Sequence, residues 1–407
     1  MKFIKKILKI ILSLLLISIC GLLLLLEFQM YKPVIANSKK IADVENYAMK
    51  IDDELLDKDY KIIGLGEATH GNSEFQRLKL DVLKTLIRDN GVSAIAYEMG
   101  YGEGCIINDY INSQSDMRIE EVFSHISFSI YHTEEFKELI EWMREYNDNS
   151  LDSKLEFYGF DLQDPDEDLL FVRNYLSREE KHPEYINDFD LFINKNISFK
   201  SEEMNQIFNE LSIIKEEIAD YRVLRCIDNI FVAKELSQKE NDLIAYSEYR
   251  DIKMKDNVLE ISDHVGYPIM ITGHNGHVGY AGSYTKTMGA YLKEEIGDEY
   301  FVIGTDYFKT ECNINTGGKR KNHVSYSADP LAYQAKYLGE YYLNFNNIGD
   351  DLSKMVNQSM PTGSLGENWN FLNNLIVVSV RNNIAPNKMY DGMIYVYKAS
   401  PLNLLEY

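Results

Sequence analysis

The stretch from Tyr60 to Glu98 constrains the fold more than any other part of the chain. Tyr60-Lys61-Ile62-Ile63 is a short apolar run, and GLGEATHG follows it at Gly64 to Gly71. Three glycines in eight residues argue against a continuous helix. The pattern predicts a buried strand over 61–65 that ends in a tight turn carrying Glu67 and His70. Between Glu74 and Arg88, the residues Phe75, Leu78, Val82, Leu83, Leu86 and Ile87 recur on one side, as in a helix. Asn90-Gly91 stops that helix. Val92 to Tyr97 is then nearly all apolar, as expected of a parallel strand buried on both faces. Strand, helix and strand in quick succession make a βαβ unit with a right-handed crossover. The fold class is therefore α/β, with a mostly parallel central sheet flanked by helices.

The same reading extends along the chain. Helices are expected over Glu134–Tyr146 and Met288–Ile296, and strands over Leu155–Phe160, Pro268–Thr272 and Tyr300–Gly304. Leu375–Val380 and Met393–Tyr397 read as strands closing the sheet. Residues 165–262 are rich in Glu, Lys, Ile and Leu and poor in glycine, with long helices over Glu203–Gln238 and Asp242–Ile261. They read as a helical insertion that forms a lobe over the cleft, inside a catalytic domain spanning 41–407. No repeat is visible.

The first forty residues are a separate segment. Lysines stand at 2, 5, 6 and 9, and Ile10 to Leu26 is seventeen residues without a charge. That is long for a signal-peptide core and at the short end for a spanning helix. An uncleaved anchor fits better than a cleaved leader, for which Val34-Ile35-Ala36 is the one candidate site. The lysines place the body outside the membrane; a cleaved leader would leave it secreted. The chain has 42 basic and 64 acidic residues, a net of −22. Residues 1–40 hold seven lysines and one glutamate, so the body carries 35 against 63, a net of −28. Such a surface excludes nucleic acid as a partner and gives no electrostatic hold on anionic lipid. Cys105, Cys226 and Cys312 are widely spaced, which gives no disulfide framework and no zinc-thiolate site, although one bridge is possible outside the cell.

In open α/β sheets, ligands bind beyond the carboxyl ends of the strands. Each strong strand candidate delivers a polar group there: Glu67 and His70, then Glu98, Asp161, His274 with His277, and Asp306. His70 is suited to carry a proton near neutral pH, and Glu67 or Glu98 is suited to orient its ring. Partial burial of the two glutamates together would raise one of their pKa values. His274 and His277, in GHNGH, fit three readings: ligands of a metal with a carboxylate, donors to a developing oxyanion, or structure alone. The glycines beside them predict a loop. There is no Gly-x-Ser-x-Gly elbow, no dinucleotide fingerprint and no phosphate loop. Without a visible nucleophile, direct attack by water with His70 as base is the simplest scheme, and no cofactor is implied.

These residues, taken together, resemble the erythromycin esterase family. GLGEATHGNSEF at 64–75, Lys79, AYEMG with Glu98, GFDLQ at Gly159 and GHNGHV with His274 and His277 all match its pattern. YRD at Tyr249 to Asp251, with Met254 and Asn257, resembles its Arg-Asp-x-x-Met-x-x-Asn helix, and YDGMIYV is similar near the end. The matching segments span about residues 55–400. The resemblance implies a deep cleft and metal-free hydrolysis of an ester or lactone, macrolides included, with antibiotic resistance as the associated role. It implies His70 as general base, Glu67 and Glu98 as the carboxylates, and His277 and Lys79 as helpers. Lys79 would supply a point charge where members carry an arginine fork. A small-molecule substrate, a membrane-held monomer and an envelope ester or amide as alternative substrate are the corresponding expectations. Two rivals remain: a metal-dependent hydrolase using Glu67, His70, Glu98 and His274, and an anchored binding protein without turnover.

Overall fold

The computed structural model describes residues 2–150, 153–163, 165–195, 203–282, 285–374, 376 and 379–405. Strands β1 (Ile62–Glu67), β2 (Ala94–Gly100), β3 (Glu156–Asp161), β4 (Ile269–His274) and β5 (Tyr300–Asn315) form the parallel heart of an eight-stranded sheet. The remaining members are β6 (Arg320–Tyr326), β7 (Tyr341–Asn344) and β10 (Gly392–Ala399), while β8 (Met360–Gly363) and β9 (Arg381–Ile384) make a separate hairpin. The order is β3-β2-β4-β1-β5-β10-β7, with β6 paired to the far end of β5. All pairings in the main sheet are parallel except β10 with β7 and β5 with β6.

Neighbouring side chains on the central strands point into different layers. Ile62, Ala96, Ile271 and Val302 join one apolar cluster, and Ile63, Tyr97, Met270 and Phe301 join the other. The second layer is built on α2 (Ser73–Asn90) and, after α3 (Tyr101–Ile111) and α4 (Ile119–Phe123), on α5 (Glu134–Asn149). The first is built on helices between β3 and β4 and on one beyond β4. These are α6 (Asp166–Arg178), α7 (Pro183–Lys195), α8 (Glu203–Glu217), α9 (Tyr221–Ser237), α10 (Leu243–Val265) and, after the single turn α11 (Asn275–Val278), α12 (Met288–Ile296). Gly91, at φ 65°, ends α2 in the left-handed conformation that glycine adopts at no steric cost.

Three expectations are corrected. The long helix over Glu203–Gln238 is two helices, because Asp220 caps a new start by accepting the N–H groups of Arg222 and Val223. The strand expected at Leu375–Val380 does not close the sheet. Ile376, Ser379 and Val380 are not in strand, while Leu375, Val377 and Val378 lie outside the described residues. The edge is β7, antiparallel to β10. The segment after β4 is a helical turn instead of a loop.

Among the described residues, one helix, α1 (Lys2–Asn37), is long and apolar enough to cross a membrane over residues 5–37. The cysteines at 105, 226 and 312 are buried and unbridged, and Cys20 is exposed.

Candidate active site

Four adjacent strands present one polar group each at the same edge. In sheet order these are Asp161 on β3, Glu98 on β2, His274 on β4 and Glu67 on β1, with Glu67 and His274 in direct register. The turn after β1 adds His70. It is held by the Ala68 N–H to Thr305 Oγ1 (2.9 Å) and by Asn313 N–H to the Gly71 carbonyl (2.8 Å). Gly71 is required by close approach and not by a left-handed φ: a Cβ there would stand 2.6 Å from Ile314 Cγ2 and 2.7 Å from the Asn313 carbonyl oxygen.

His70 Nδ1 is hydrogen-bonded to Glu67 Oε1. Glu67 is 1% exposed, and its other oxygen meets Lys79 Nζ at 2.9 Å and Gln76 Nε2 at 3.0 Å. Lys79 also donates to Gln76 Oε1 (2.9 Å) and lies over the rings of Tyr97 and Tyr131 at 5.0 and 5.4 Å. Burial alone would raise the Glu67 carboxyl, but Lys79 and His70 outweigh it and hold it at about 2. Burial would lower His70, but the charge and hydrogen bond of Glu67 outweigh that and hold the imidazole above its ordinary 6.5. With Nδ1 committed to Glu67, Nε2 is the nitrogen left for proton transfer.

Glu98 lies across the site. Its Oε2 accepts the His274 N–H (2.8 Å) and its Oε1 accepts Arg250 Nη2 (2.8 Å). A Cβ on Gly273 would sit 2.7 Å from that Oε2, so glycine is what lets the carboxylate reach β4. Burial would raise Glu98; His277, Arg250 and His70 hold it well below the usual carboxylate range. Arg250, from α10, also grips Asp161 with two bonds and meets His277 Nε2 at 3.1 Å. These contacts engage four of its five N–H groups. His277 Nδ1 is bonded to Asp251 Oδ1 (2.8 Å), which also accepts the Met288 N–H (2.9 Å). Burial would lower His277, but Glu98 and Asp251 raise it above 6.5.

His274 differs from both other histidines. Burial and the two neighbouring rings push it down to about 4. Its Nδ1 accepts the Gly276 N–H (3.1 Å), so Nε2 carries the hydrogen and donates to the Leu365 carbonyl (3.1 Å). Both nitrogens are therefore engaged by the chain itself. Among the described residues, no three His, Cys, Asp or Glu side chains are grouped to hold a metal. The ring stacks obliquely on His70 at 5.1 Å between centroids.

His70, Glu98, Asp161, Arg250, His277 and Glu367 line a pocket of about 230 Å³. His277 also borders a larger cleft of about 770 Å³, walled in part by α10, His274 and β9. Asp306 is not at this edge. Because β5 runs on to Asn315, Asp306 lies mid-strand, accepts the N–H groups of Tyr307 (2.7 Å) and Gly363 (3.1 Å), and faces Asp329. The sequence reading assigned no role to Gln76, Asp251 or Glu367. Gln76 was detectable as a second polar residue beside Lys79 on the apolar side of α2, and Asp251 as the immediate neighbour of Arg250. Glu367 gave no local signal.

The profile of a family described as Erythromycin esterase matches residues 87–399, a span that begins after Glu67, His70 and Lys79. Erythromycin esterase type II of Escherichia coli is 26% identical over 402 residues, covering 84% of this chain and 90% of that protein. A solved succinoglycan biosynthesis protein has a TM-score of 0.71 at 20% identity, covering 91% of this chain and 94% of its own. A mutant of the erythromycin esterase EreC in its open conformation has a TM-score of 0.60 at 13% identity, covering 89% and 99%.

Proposed function

The chain belongs to the erythromycin esterase family, and on that premise we propose that it is a hydrolase that activates water with His70 to open an ester or lactone. The observation that carries this reading is the buried Glu67–His70 pair beside a pocket whose other side holds Arg250 and His277. A water bound against His70 Nε2 gives up a proton to that nitrogen as its oxygen attacks the carbonyl carbon. The Glu67 carboxylate stabilises the imidazolium that forms, and Lys79 and Gln76 keep that carboxylate ionised and in place. The tetrahedral oxyanion is held by the remaining Arg250 N–H, and His277, whose Nε2 meets Arg250, steadies that donor. Collapse breaks the carbon–oxygen bond to the leaving alkoxide, which takes the proton back from His70. The products are an alcohol and a carboxylic acid, or one hydroxy acid from a lactone. Glu98 and Asp161 position Arg250 and balance its charge. His274 holds Glu98 through its backbone and packs on His70, which makes it a positioning residue.

Residues 41–407 form the catalytic unit in this reading, with 165–262 as a helical insertion over the cleft, and α1 anchors it with the body outside the membrane. Macrolides fit the family premise as one substrate class. The test is incubation of the full chain with erythromycin and simpler esters and lactones, read by mass spectrometry for the gain of one water, beside His70→Ala. Turnover abolished in the variant supports the scheme. Turnover that persists in His70→Ala removes His70 from the base role, and activity lost to chelator moves the chemistry to a metal.

A further inference from the structure

The two faces of β9 meet different partners. Arg381 is buried and donates to the Met30 carbonyl of α1 (3.1 Å) and to the Tyr326 carbonyl (2.7 and 3.2 Å). Asn382 and Ile384, on the opposite face, line the 770 Å³ cleft that His274 and His277 also border. The end of α1 is fastened elsewhere too. Tyr31 packs edge-on to Tyr326 at 6.0 Å, Asn37 Nδ2 donates to the Ala328 carbonyl (2.8 Å), and Gln334 Nε2 donates to the Lys39 carbonyl (2.8 Å). The C-terminal end of α1 is thus docked on the body, while its apolar run stays exposed. Met30 stands four residues past Leu26, where the uncharged run ends, which is about 6 Å along a helix. The wall of the cleft and the edge of the apolar run are therefore close neighbours. At the rim, Leu243 is 79% exposed and Ile244 62%, an aliphatic pair that opens α10 toward solvent.

We infer that the cleft takes the aliphatic part of a membrane-resident amphiphilic ester, with its scissile carbonyl reaching the pocket at His70 and His277. This rests on the hydrolase and anchor readings above. The cleft volume suits a ligand of that size, since ligand pockets run from about 300 to 1,000 Å³. A body with a net charge of −28 repels anionic headgroups, so the amphiphile is neutral or zwitterionic.

The test uses the full chain in phosphatidylcholine vesicles. A neutral alkyl-glycerol ether with a diazirine at its chain end is photolysed, and the labelled peptides are identified by mass spectrometry. Labelling is expected on peptides around Ala281, Ile384 and Met389. Ala281→Trp fills the cleft, and displacing even two methylenes should cut that labelling more than tenfold, at about fourfold per methylene. Ile384→Asp, checked for an unaltered melting curve, is the second variant. Labelling confined to α1, or undiminished in both variants, overturns the inference. Cleavage of methylumbelliferyl butyrate reports separately: a cleaved butyrate with an unlabelled cleft defeats only this inference. A labelled cleft with no ester cleaved defeats the hydrolase reading and upholds the ligand class.

Discussion

Asp161 grips Arg250 with two near-parallel hydrogen bonds, Nε to Oδ1 at 2.9 Å and Nη2 to Oδ2 at 2.8 Å. The pair joins the last residue of β3 to α10 two turns from its start and places the arginine on Glu98 and His277. Asp161 is 1% exposed at its side chain and Arg250 12%. Arg250 also pairs with Glu98 (2.8 Å), so removing the Asp161 charge leaves the arginine compensated and costs the weight of a charged hydrogen bond, about 1.5–3 kcal/mol. Asp161→Asn is expected to lower the melting temperature accordingly. Arg250→Lys keeps the charge but loses the fork, and should cost about 10²-fold in kcat/KM through misplacement of the site. Thermal unfolding and steady-state kinetics check the two; a neutral Asp161→Asn would show that the grip carries no net stability.

His70 must be neutral to accept a proton, and Glu67 holds its pKa above 6.5. The profile of kcat/KM is therefore expected to rise with pH along a limb lying above 6.5. Glu67→Gln removes the negative charge that raises the imidazole, so the limb should move to lower pH while the plateau falls. A limb that stays in place would assign it to another group.

Stability has its own pH signature, with a sign opposite for the two partners. Glu67 is depressed from 4.5 to about 2, so its contribution is complete above 4.5 and is lost as pH falls toward 2. Glu98, also depressed, acts in the same direction. The contribution of His70, whose pKa is raised, is complete below 6.5 and is lost as pH rises through its folded value. Chemical denaturation should show a steep loss on the acid side, and Lys79→Met should flatten it by removing a cation that depresses Glu67.

His274, which ends β4, and His277, just beyond it, should separate in kinetics. His277 is raised and meets Arg250 beside the pocket, whereas His274 is held near 4 and bonds only backbone groups, the Leu365 carbonyl and the Gly276 N–H. His277→Ala is expected to cost about 10²-fold in kcat/KM, because the Arg250 donor it steadies is misplaced. His274→Gln should cost less than about tenfold, since glutamine keeps a donor for the Leu365 carbonyl. Equal losses would show that His274 positions the site as strongly as His277 does.

The central sheet was legible because buried parallel strands are written as unbroken apolar runs, as in Val92 to Tyr97. The carboxylate and histidine set was legible for a related reason: polar residues that close such runs fall on one edge. What escaped depends on distance and on caps. Asp251 looks like an ordinary helix residue until α10 is laid against β4, and nothing local to Glu367 indicates that its segment returns to His70. Asp306 misled because the apolar signal of β5 fades before the strand does, where β6 pairs with it in place of a buried neighbour. Leu375–Val380 has strand-like composition, but Ile376 is 40% exposed and belongs to no ladder.

β4 lies between β1 and β2, yet it enters the chain more than 160 residues after either of them. Glu67 and Glu98 are therefore made early and kept apart by a slot that only a late strand can fill. Until residues 269–277 emerge during synthesis, His70 lacks the opposite wall of its pocket and Glu98 lacks the backbone amide of His274. The assembled pocket is thus a timed product of translation: on the proposed reading a chain cut short before β4 should show no turnover, and the slow closure of so long a loop separates the moment the histidine is made from the moment its pocket is complete.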